Sequence, residues 1–159
     1  MASELVAAVA VSTALGAALV GGIFFAFSTF VITALGRLPS GHGIAAMQSI
    51  NVAVLNPWFF AVFFGTALGA IALALLGFLG WGAPESAYLA AGSLLYLIGC
   101  ILVTIVFNVP LNHALAAVEP GSTEGAEMWT RYLSTWTIWN HLRTAASLVA
   151  AMSFIMAIR

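Results

Sequence analysis

PWFFAVFFGTALGAIALALLGFLG, residues 57–80, decides the fold of this chain, because it contains no charged residue. As a helix it would be about 36 Å long at roughly 1.5 Å per residue, enough to cross the roughly 30 Å hydrocarbon core of a membrane. It lacks the alternation of apolar and polar residues that a barrel strand needs. The stretch therefore predicts a membrane-spanning α-helix.

Three further apolar segments, residues 5–36, 86–108 and 134–158, accompany this one. The chain is 63% hydrophobic and 6% charged, against roughly 25% charged in soluble domains. Because backbone groups in lipid must bond within their own helix, we expect an all-α protein, a transmembrane four-helix up-down bundle with residues 1–159 as a single domain. The first segment is too long for a signal peptide and is expected to be retained. The lipid bilayer is the expected partner, and nucleic acid is not.

Small residues predict where the helices pack closely. Glycine or alanine recurs every four residues in the first segment, and Gly65 and Gly69 share that spacing in the second. Such spacing lets two helix backbones approach each other, although alanine and glycine are also simply abundant here. The positions in the first segment are Ala14, Ala18, Gly22 and Ala26.

The longer connections, residues 37–56 and 109–133, must lie on one side of a four-span bundle. The opposite side holds the termini and a short turn at 80–85. Arg37 and Arg131 outweigh Arg159, which favours a cytoplasmic position for the longer connections and for the polar end of the bundle.

The first connection is predicted to hold a short helix. Residues 44–55 are too few to cross a membrane, so we expect a re-entrant or interfacial helix between spans one and two. Gln48 and Asn51 share one face of it and are candidate substrate-binding residues, with interhelical hydrogen bonding as the alternative. Asn56 precedes a proline, which is typical of a helix N-cap. His42 is expected in an exposed loop.

A polar stripe follows the end of the third segment at intervals of four residues. Pro110 lacks a backbone donor and is expected to kink or end the helix. Asn108 is either a binding residue or the partner of the carbonyls that this proline frees. The only cysteine, Cys100, excludes an intramolecular disulfide and a Cys-based zinc site and is expected to be a buried thiol. The stripe consists of Cys100, Thr104, Asn108 and Asn112.

The fourth segment is interrupted by more polar residues than any other. At about 100° per residue they share one arc of roughly 160°, which is expected to face the bundle interior. The polar arc holds Trp136, Thr137, Asn140, His141, Arg143, Thr144 and Ser147. The opposite arc is expected to face lipid and holds Ile138, Leu142, Ala145, Ala146 and Val149.

Arg143 is the decisive residue of that arc. An unpaired guanidinium inside a span costs about 2.5–3.5 kcal/mol on insertion scales, and no carboxylate occurs within any span. We expect it to bond an anion, a polarised carbonyl or a quinone-like oxygen, or at least one polar side chain of the other helices. Those side chains are Gln48, Asn51, Asn108 and Asn112. The alternative is that Arg143 extends to the lipid headgroups.

Four motifs carry a family resemblance: GIAAMQSIN (43–51), NP (56–57), FNVPLN (107–112) and WNHLRT (139–144). In this order, over essentially the whole chain, they resemble the anthrone oxygenase-like membrane family, most of which is a domain of unknown function. Fungal members oxidise anthrones to anthraquinones with dioxygen. The resemblance implies an integral protein of a bacterial cytoplasmic membrane.

The leading hypothesis is a membrane oxygenase or oxidoreductase acting on a lipophilic aromatic or quinoid substrate with dioxygen and no required cofactor. His141 is the candidate base, and Arg143 and Asn140 are the candidates to stabilise an enolate oxygen. Candidate substrate-binding residues are Gln48, Asn51, Asn108, Asn112, Trp136 and Thr144. Aromatic residues that could stack on a flat ligand, or form an interfacial belt instead, are Phe107, Tyr132, Trp136 and Trp139.

Two other classes of function stay open at this point. The first is a redox protein with haem or copper in the bundle core, ligated by His141 and His113, although two histidines alone are a weak metal signature. The second is a non-enzymatic carrier or assembly factor that uses the same pocket. The sequence leaves the substrate and a homo-oligomeric state undetermined.

Overall fold

The structure is a computed structural model that describes residues 2–79 and 83–159. These residues form five helices and no strand, so the all-α prediction is confirmed for them. The predicted turn at 80–85 lies partly outside the described residues. Helix α1 comprises Ala2–Ala26, a π-helical turn Phe27–Val31 and Ile32–Gly36; α2 is Ser40–Ala53; α3 is Pro57–Leu79; α4 comprises Pro84–Leu94, the π-helical stretches Leu95–Leu102 and Thr104–Asn108, and Val109–Ala116; α5 is Thr123–Met156.

Three of these helices are long and apolar enough to cross a membrane: Glu4–Gly36, Pro57–Leu79 and Pro84–Ala116. Helix α5 is 34 residues long but is less apolar than these three. Asn140, His141 and Arg143 interrupt its apolar stretch, which lowers its mean hydropathy. A fourth crossing by α5 therefore stays a prediction.

The four long helices pack in sequence order. Helix α1 contacts α3, α3 contacts α4, α4 contacts α5, and α5 returns to contact α1. One apolar core lies among them and includes Phe24, Leu73, Tyr96 and Phe154. A second core lies where α2 covers the ends of α1, α4 and α5, and includes Ile44, Met47, Leu115 and Tyr132.

The two longer connections meet at one end of the molecule. A Cβ atom added to Gly41 would lie 3.0 Å from the backbone nitrogen of Gly121 in the α4–α5 connection. Gln48 of α2 donates hydrogen bonds to the carbonyls of Leu115 and Val118, at 2.9 and 3.1 Å. The Leu115 carbonyl lies in the last turn of α4 and the Val118 carbonyl lies just after it, and neither has an acceptor role inside the helix. Gln48 therefore fixes α2 to the end of α4.

Asn56 is the N-cap of α3, as predicted. Its side-chain oxygen accepts hydrogen bonds from the backbone N–H groups of Trp58 and Phe59, at 3.1 and 3.0 Å. These two donors have no acceptor within the helix. The preceding helix α2 begins at Ser40, earlier than residue 44, and it includes His42, which was expected in a loop but is exposed as predicted.

Helix α4 does not end at Pro110, contrary to the prediction that this proline kinks or ends it. It continues to Ala116 because the turn before the proline is π-helical, with Val109 N–H bonded to the carbonyl of Thr104, five residues back. A wider turn of this kind accommodates the missing donor of a proline, and π-helical turns are frequent at functional sites. Asn108 does not bond the freed carbonyls but donates to the backbone carbonyl of Trp136 on α5, at 3.2 Å.

The predicted stripe of small residues in α1 is only partly correct. Ala14 is buried, but Ala18 and Gly22 are exposed. The buried small residues follow an alternating spacing of three and four instead, Ala10, Ala14, Ala17 and Gly21. Gly69 of α3 packs directly on Thr13 of α1, whereas nothing lies within 4 Å of a Cβ at Gly65.

Gly69→Leu is therefore expected to destabilise the protein by about 2 kcal/mol or more, because the new side chain displaces Thr13 in a close helix contact. Thermal unfolding in detergent measures this loss. Gly65→Leu, one turn earlier in the same helix, is the matched control and should leave the unfolding temperature unchanged. Equal effects at both positions would contradict the packing described.

Candidate functional site

Arg143 lies inside the protein with 4% of its surface exposed, so it does not extend to the lipid headgroups. Its guanidinium donates to Thr104 Oγ1 of α4 at 3.2 Å and to Asn140 Oδ1 at 2.7 Å. It also lies over the rings of Phe24 and Trp136, 4.0 and 5.3 Å from their centroids. The predicted interior position is confirmed. The side-chain acceptors of Arg143 are Thr104 and Asn140 and not the predicted Gln48, Asn51, Asn108 or Asn112, whereas the predicted bond to a ligand oxygen stays a prediction.

Arg143 has no acidic partner in the described part of the chain. All five acidic residues of the sequence are glutamates, and each is exposed at the surface. The Arg143 Nε–H group is buried, and none of the residues that the structure describes accepts a hydrogen bond from it. Neutral oxygens and aromatic faces stabilise a cation but leave its charge uncompensated.

Asn140 fixes this arrangement to α1. It is fully buried, and its side-chain nitrogen donates to the carbonyl of Phe24 at 2.8 Å and to Ser28 Oγ at 2.7 Å. Thr144 contacts the same Ser28 hydroxyl at 3.1 Å. Since the Asn140 oxygen accepts from Arg143, one amide sets the position of the guanidinium relative to two helices.

A cavity of about 230 Å³ adjoins Arg143. Aromatic rings make up much of its wall: Phe24, Phe27, Phe59, Phe60, Phe63, Phe64 and Trp136. Arg143, Thr104, Asn51 and Asn112 also line it. A larger crevice of about 450 Å³ lies between α1 and α3, but its lining is small and uncharged, so the chemistry of the chain points to the aromatic cavity.

The polar lining of the cavity has unused hydrogen-bonding capacity. Among the described residues, the buried Nε–H of Arg143 has no acceptor, and the buried side-chain nitrogen of Asn51 lies near the Tyr132 hydroxyl without an aligned hydrogen bond. Leaving such groups unpaired costs about 1–3 kcal/mol each. Both are donors, so a ligand that satisfies them presents an acceptor oxygen.

Asn112 holds the aromatic wall in place. Its oxygen accepts from Tyr132 Oη and from Trp136 Nε1, both at 2.8 Å. The rings of Trp129, Tyr132 and Trp136 stack along α5, with centroids 5.7 and 5.5 Å apart. The orientation of the Trp136 ring at the cavity is therefore set from α4.

Asn112→Leu is expected to destabilise the protein by about 2–4 kcal/mol, because it leaves the Tyr132 and Trp136 donors without an acceptor in a buried place. Thermal unfolding and the emission wavelength of the tryptophans should both change. His113→Ala is the matched control, since His113 is the next residue and is exposed. If Asn112→Leu changes neither the unfolding temperature nor the emission wavelength, Asn112 does not hold Tyr132 and Trp136 in place.

The structure brings together only some of the predicted site residues. Asn51, Asn112, Trp136 and Arg143 line the cavity, and Asn140 positions Arg143. Three other predicted binding residues have structural contacts and do not line it: Gln48 at the end of α4, Asn108 on the Trp136 carbonyl and Thr144 on Ser28.

His141 faces outward, which contradicts its predicted place on the interior arc. It is exposed, and it has no hydrogen bond among the described residues. The buried face of α5 extends only about 80° beyond Trp136 toward Thr144, and His141 lies outside it. On the other edge, Ala146 was expected toward lipid but is buried against Gly99.

The predicted metal ligands are not in the core. His113 is exposed, like His141, so neither belongs to the interior where haem or copper was expected. Within residues 2–79 and 83–159 no three His, Cys, Asp or Glu side chains lie close enough together to hold a metal ion. Cys100 is a buried thiol in the apolar core, as predicted.

The phenylalanines of α1 and α3 are the residues that sequence reasoning missed. They occur as IFFAF (23–27) and WFFAVFF (58–64) and are indistinguishable by composition from a lipid-facing surface. Of the four aromatic residues predicted to stack on a ligand, only Trp136 lines the cavity. Phe107 and Trp139 stack on each other instead, with centroids 3.6 Å apart.

The sequence profile of a family described as anthrone oxygenase matches residues 58–153. The match covers α3 from its first turn, all described residues of α4, and α5 from Thr123 to Ser153. No match was found among curated proteins or among solved structures.

Proposed function

We propose, because this chain belongs to the anthrone oxygenase family, that it is a membrane-embedded oxygenase-like protein acting on a lipophilic aromatic or quinoid molecule. One observation carries the proposal: a buried, uncompensated Arg143 at the polar wall of an aromatic cavity. A planar ring would pack against the phenylalanines, and its oxygen would accept hydrogen bonds from Arg143 and Asn51.

An oxyanion is the ligand state that this wall favours most. A guanidinium in a place that excludes water stabilises a negative oxygen far more than the same group in water does. When a carbonyl compound loses an acidic proton from the neighbouring carbon, the charge moves onto that oxygen. Arg143, held by Asn140 and Thr104 before the ligand arrives, would stabilise this enolate without rearrangement.

The oxidation then balances without a further electron donor. The enolate carbon reacts with dioxygen, one oxygen atom becomes the new ring carbonyl, and the other leaves with the two hydrogens of the original CH₂ group as water. The described residues that line the cavity include no imidazole, thiol or carboxylate, so no side chain accepts the proton in this scheme. The proton leaves the carbon as the ligand enolises and ends, with the second hydrogen, in the product water. His141 has no role in it.

We also propose that the protein crosses the membrane four times. Helices α1, α3, α4 and α5 would cross alternately as an up-down bundle, with α2 as the interfacial helix and the polar end on the cytoplasmic side. Cysteines placed at the exposed positions Leu38 and Glu124 should react with a membrane-impermeant reagent from one and the same side. Reaction from opposite sides would contradict the four-span arrangement.

Dioxygen uptake tests the activity. Proteoliposomes with wild-type protein should consume dioxygen when anthrone is added and should form anthraquinone. Vesicles with Arg143→Met should show only the spontaneous rate of anthrone oxidation, whereas His141→Ala should match the wild type. Uptake that is the same with wild-type protein, Arg143→Met and empty vesicles would rule out the oxygenase.

A second candidate is a carrier for the same class of molecule. No imidazole, thiol or carboxylate of the described residues lines the cavity, which favours this candidate. Arg143 would then bind the ligand oxygen without chemistry. A carrier should bind anthrone or a hydroxyanthraquinone in a way that depends on Arg143, and it should release the molecule without oxidising it.

A further inference from the structure

Part of the cavity lining is exposed at the surface of the protein. Four of its lining residues have exposed side chains: Leu55 at 63%, Phe60 at 38%, Phe64 at 50% and Ile105 at 57%. All four are apolar. The charged group of the lining, Arg143, is buried, and so is the side-chain nitrogen of Asn51.

The helices separate where these four residues lie. Helix α3 packs closely against Pro84–Leu94 and Leu95–Leu102 of α4, whereas Thr104–Asn108 and Val109–Ala116 pack mainly against α5 and one another. The first turns of α3 therefore diverge from the second half of α4. Phe60 and Phe64 border the gap from α3, and Ile105 borders it from α4.

Helix α2 closes the cavity toward the connections. Met47 lines the cavity and is 1% exposed, and Ile50 of the same helix also lines it. A route from the aqueous side would have to displace this helix from Leu115 and Trp129, with which it shares an apolar core. The lateral gap needs no such change.

We infer that the gap between α3 and α4 is a lateral mouth through which the ligand enters from the hydrocarbon phase of the bilayer. The inference rests on the proposed function for the identity of the ligand but not for the position of the mouth. The ligand would pass the apolar rim of Phe60, Phe64 and Ile105 with its oxygen leading, and that oxygen would end at Arg143. An apolar rim disfavours charged molecules, so the entering form is neutral and ionises only inside.

Lipid access at the mouth can be measured without any ligand. Single cysteines at Phe64 and Ile105, in a Cys100→Ser background and labelled with bimane, should be quenched by lipids that carry nitroxides on their acyl chains. The exposed control Ile98→Cys should behave alike. Quenching by aqueous iodide instead of nitroxide lipids at positions 64 and 105 would overturn the inference.

Entry itself is tested by narrowing the mouth. With 2-hydroxyanthraquinone in the vesicle membrane, Ile105→Trp should slow both binding and release by about tenfold, a larger change than the change in Kd. Ile98→Trp is the matched control, two turns earlier on the same helix, 52% exposed and outside the cavity. Unchanged rates in Ile105→Trp would refute entry by this route.

The two proposals fail in different ways. If wild-type protein binds neither 2-hydroxyanthraquinone nor anthrone, the proposed function is wrong, and the quenching experiment still decides whether the mouth faces lipid. If the wild type binds the probe but the rates do not respond at Ile105, the ligand class stands and the lateral mouth is wrong.

Discussion

Arg143→Met is expected to reduce the affinity for 2-hydroxyanthraquinone by about a hundredfold while leaving the stability of the protein nearly unchanged. Charged hydrogen bonds to a ligand are worth about 1.5–3 kcal/mol, and 1.4 kcal/mol corresponds to a factor of ten. The same substitution removes an uncompensated buried charge, which offsets the cost of leaving Asn140 Oδ1 without its donor. Binding and thermal unfolding are measured on the same detergent-solubilised preparation.

Affinity and stability, measured together, show whether Arg143 binds the ligand or only packs the helices. If Arg143 only held α5 against α1 and α4, the methionine variant would lose several kcal/mol of stability and would bind poorly because it is unfolded. Arg143→Lys is the informative companion. It keeps the charge but not the fork of donors, so its affinity should lie between those of the wild type and Arg143→Met.

Asn140→Leu is expected to destabilise the protein by about 3 kcal/mol and to weaken ligand binding as well. It removes the donor to the Phe24 carbonyl and to Ser28. Of the acceptors that the described residues offer to the Arg143 guanidinium, it leaves Thr104 alone. Buried groups left without partners each cost about 1–3 kcal/mol.

The matched control for this variant is His141→Leu, at the next position of α5 but exposed. It should leave both unfolding and binding as in the wild type. A larger loss in His141→Leu than in Asn140→Leu would mean that the buried face of α5 has been assigned to the wrong residues.

Much of the fold could be predicted because hydropathy and helix geometry are local properties. The segments at 57–80 and 86–108, the N-cap at Asn56 and the extra helix of the first connection all follow from nearby residues. The end of α4 did not follow, since a proline normally breaks a helix. A π-helical turn at Thr104–Asn108 lets α4 continue past Pro110, and the local sequence contains no signal that predicts this turn.

The site was predictable at Arg143, because a charge inside a helix restricts where that residue can lie. Its partners were not, because they depend on the rotation of α4 relative to α5, which depends in turn on packing such as Ala146 on Gly99. The same rotation decides which edge of the polar arc is covered. Both Asn140 and His141 were predicted on the interior arc. The observed rotation of α5 buries Asn140 and leaves His141 exposed.

The aromatic wall illustrates a limit that is specific to membranes. Lipid and protein interior are both apolar, so the phenylalanines at 58–64 suit either place. Burial distinguishes Phe63, at 5% exposed, from Phe64, at 50%, although the two are adjacent and identical in type. Only the position of the neighbouring helices separates them.

The most direct test of the central claim is a structure of the protein with 2-hydroxyanthraquinone bound. We predict the ring in the aromatic cavity, in contact with Phe63 and Trp136, with one ligand oxygen at a hydrogen-bonding distance of roughly 2.7–3.2 Å from the Arg143 guanidinium. A ligand whose oxygen points toward the gap at Phe64 and Ile105, or one that occupies the crevice between α1 and α3, would contradict the assignment of Arg143 as the residue that binds the ligand oxygen.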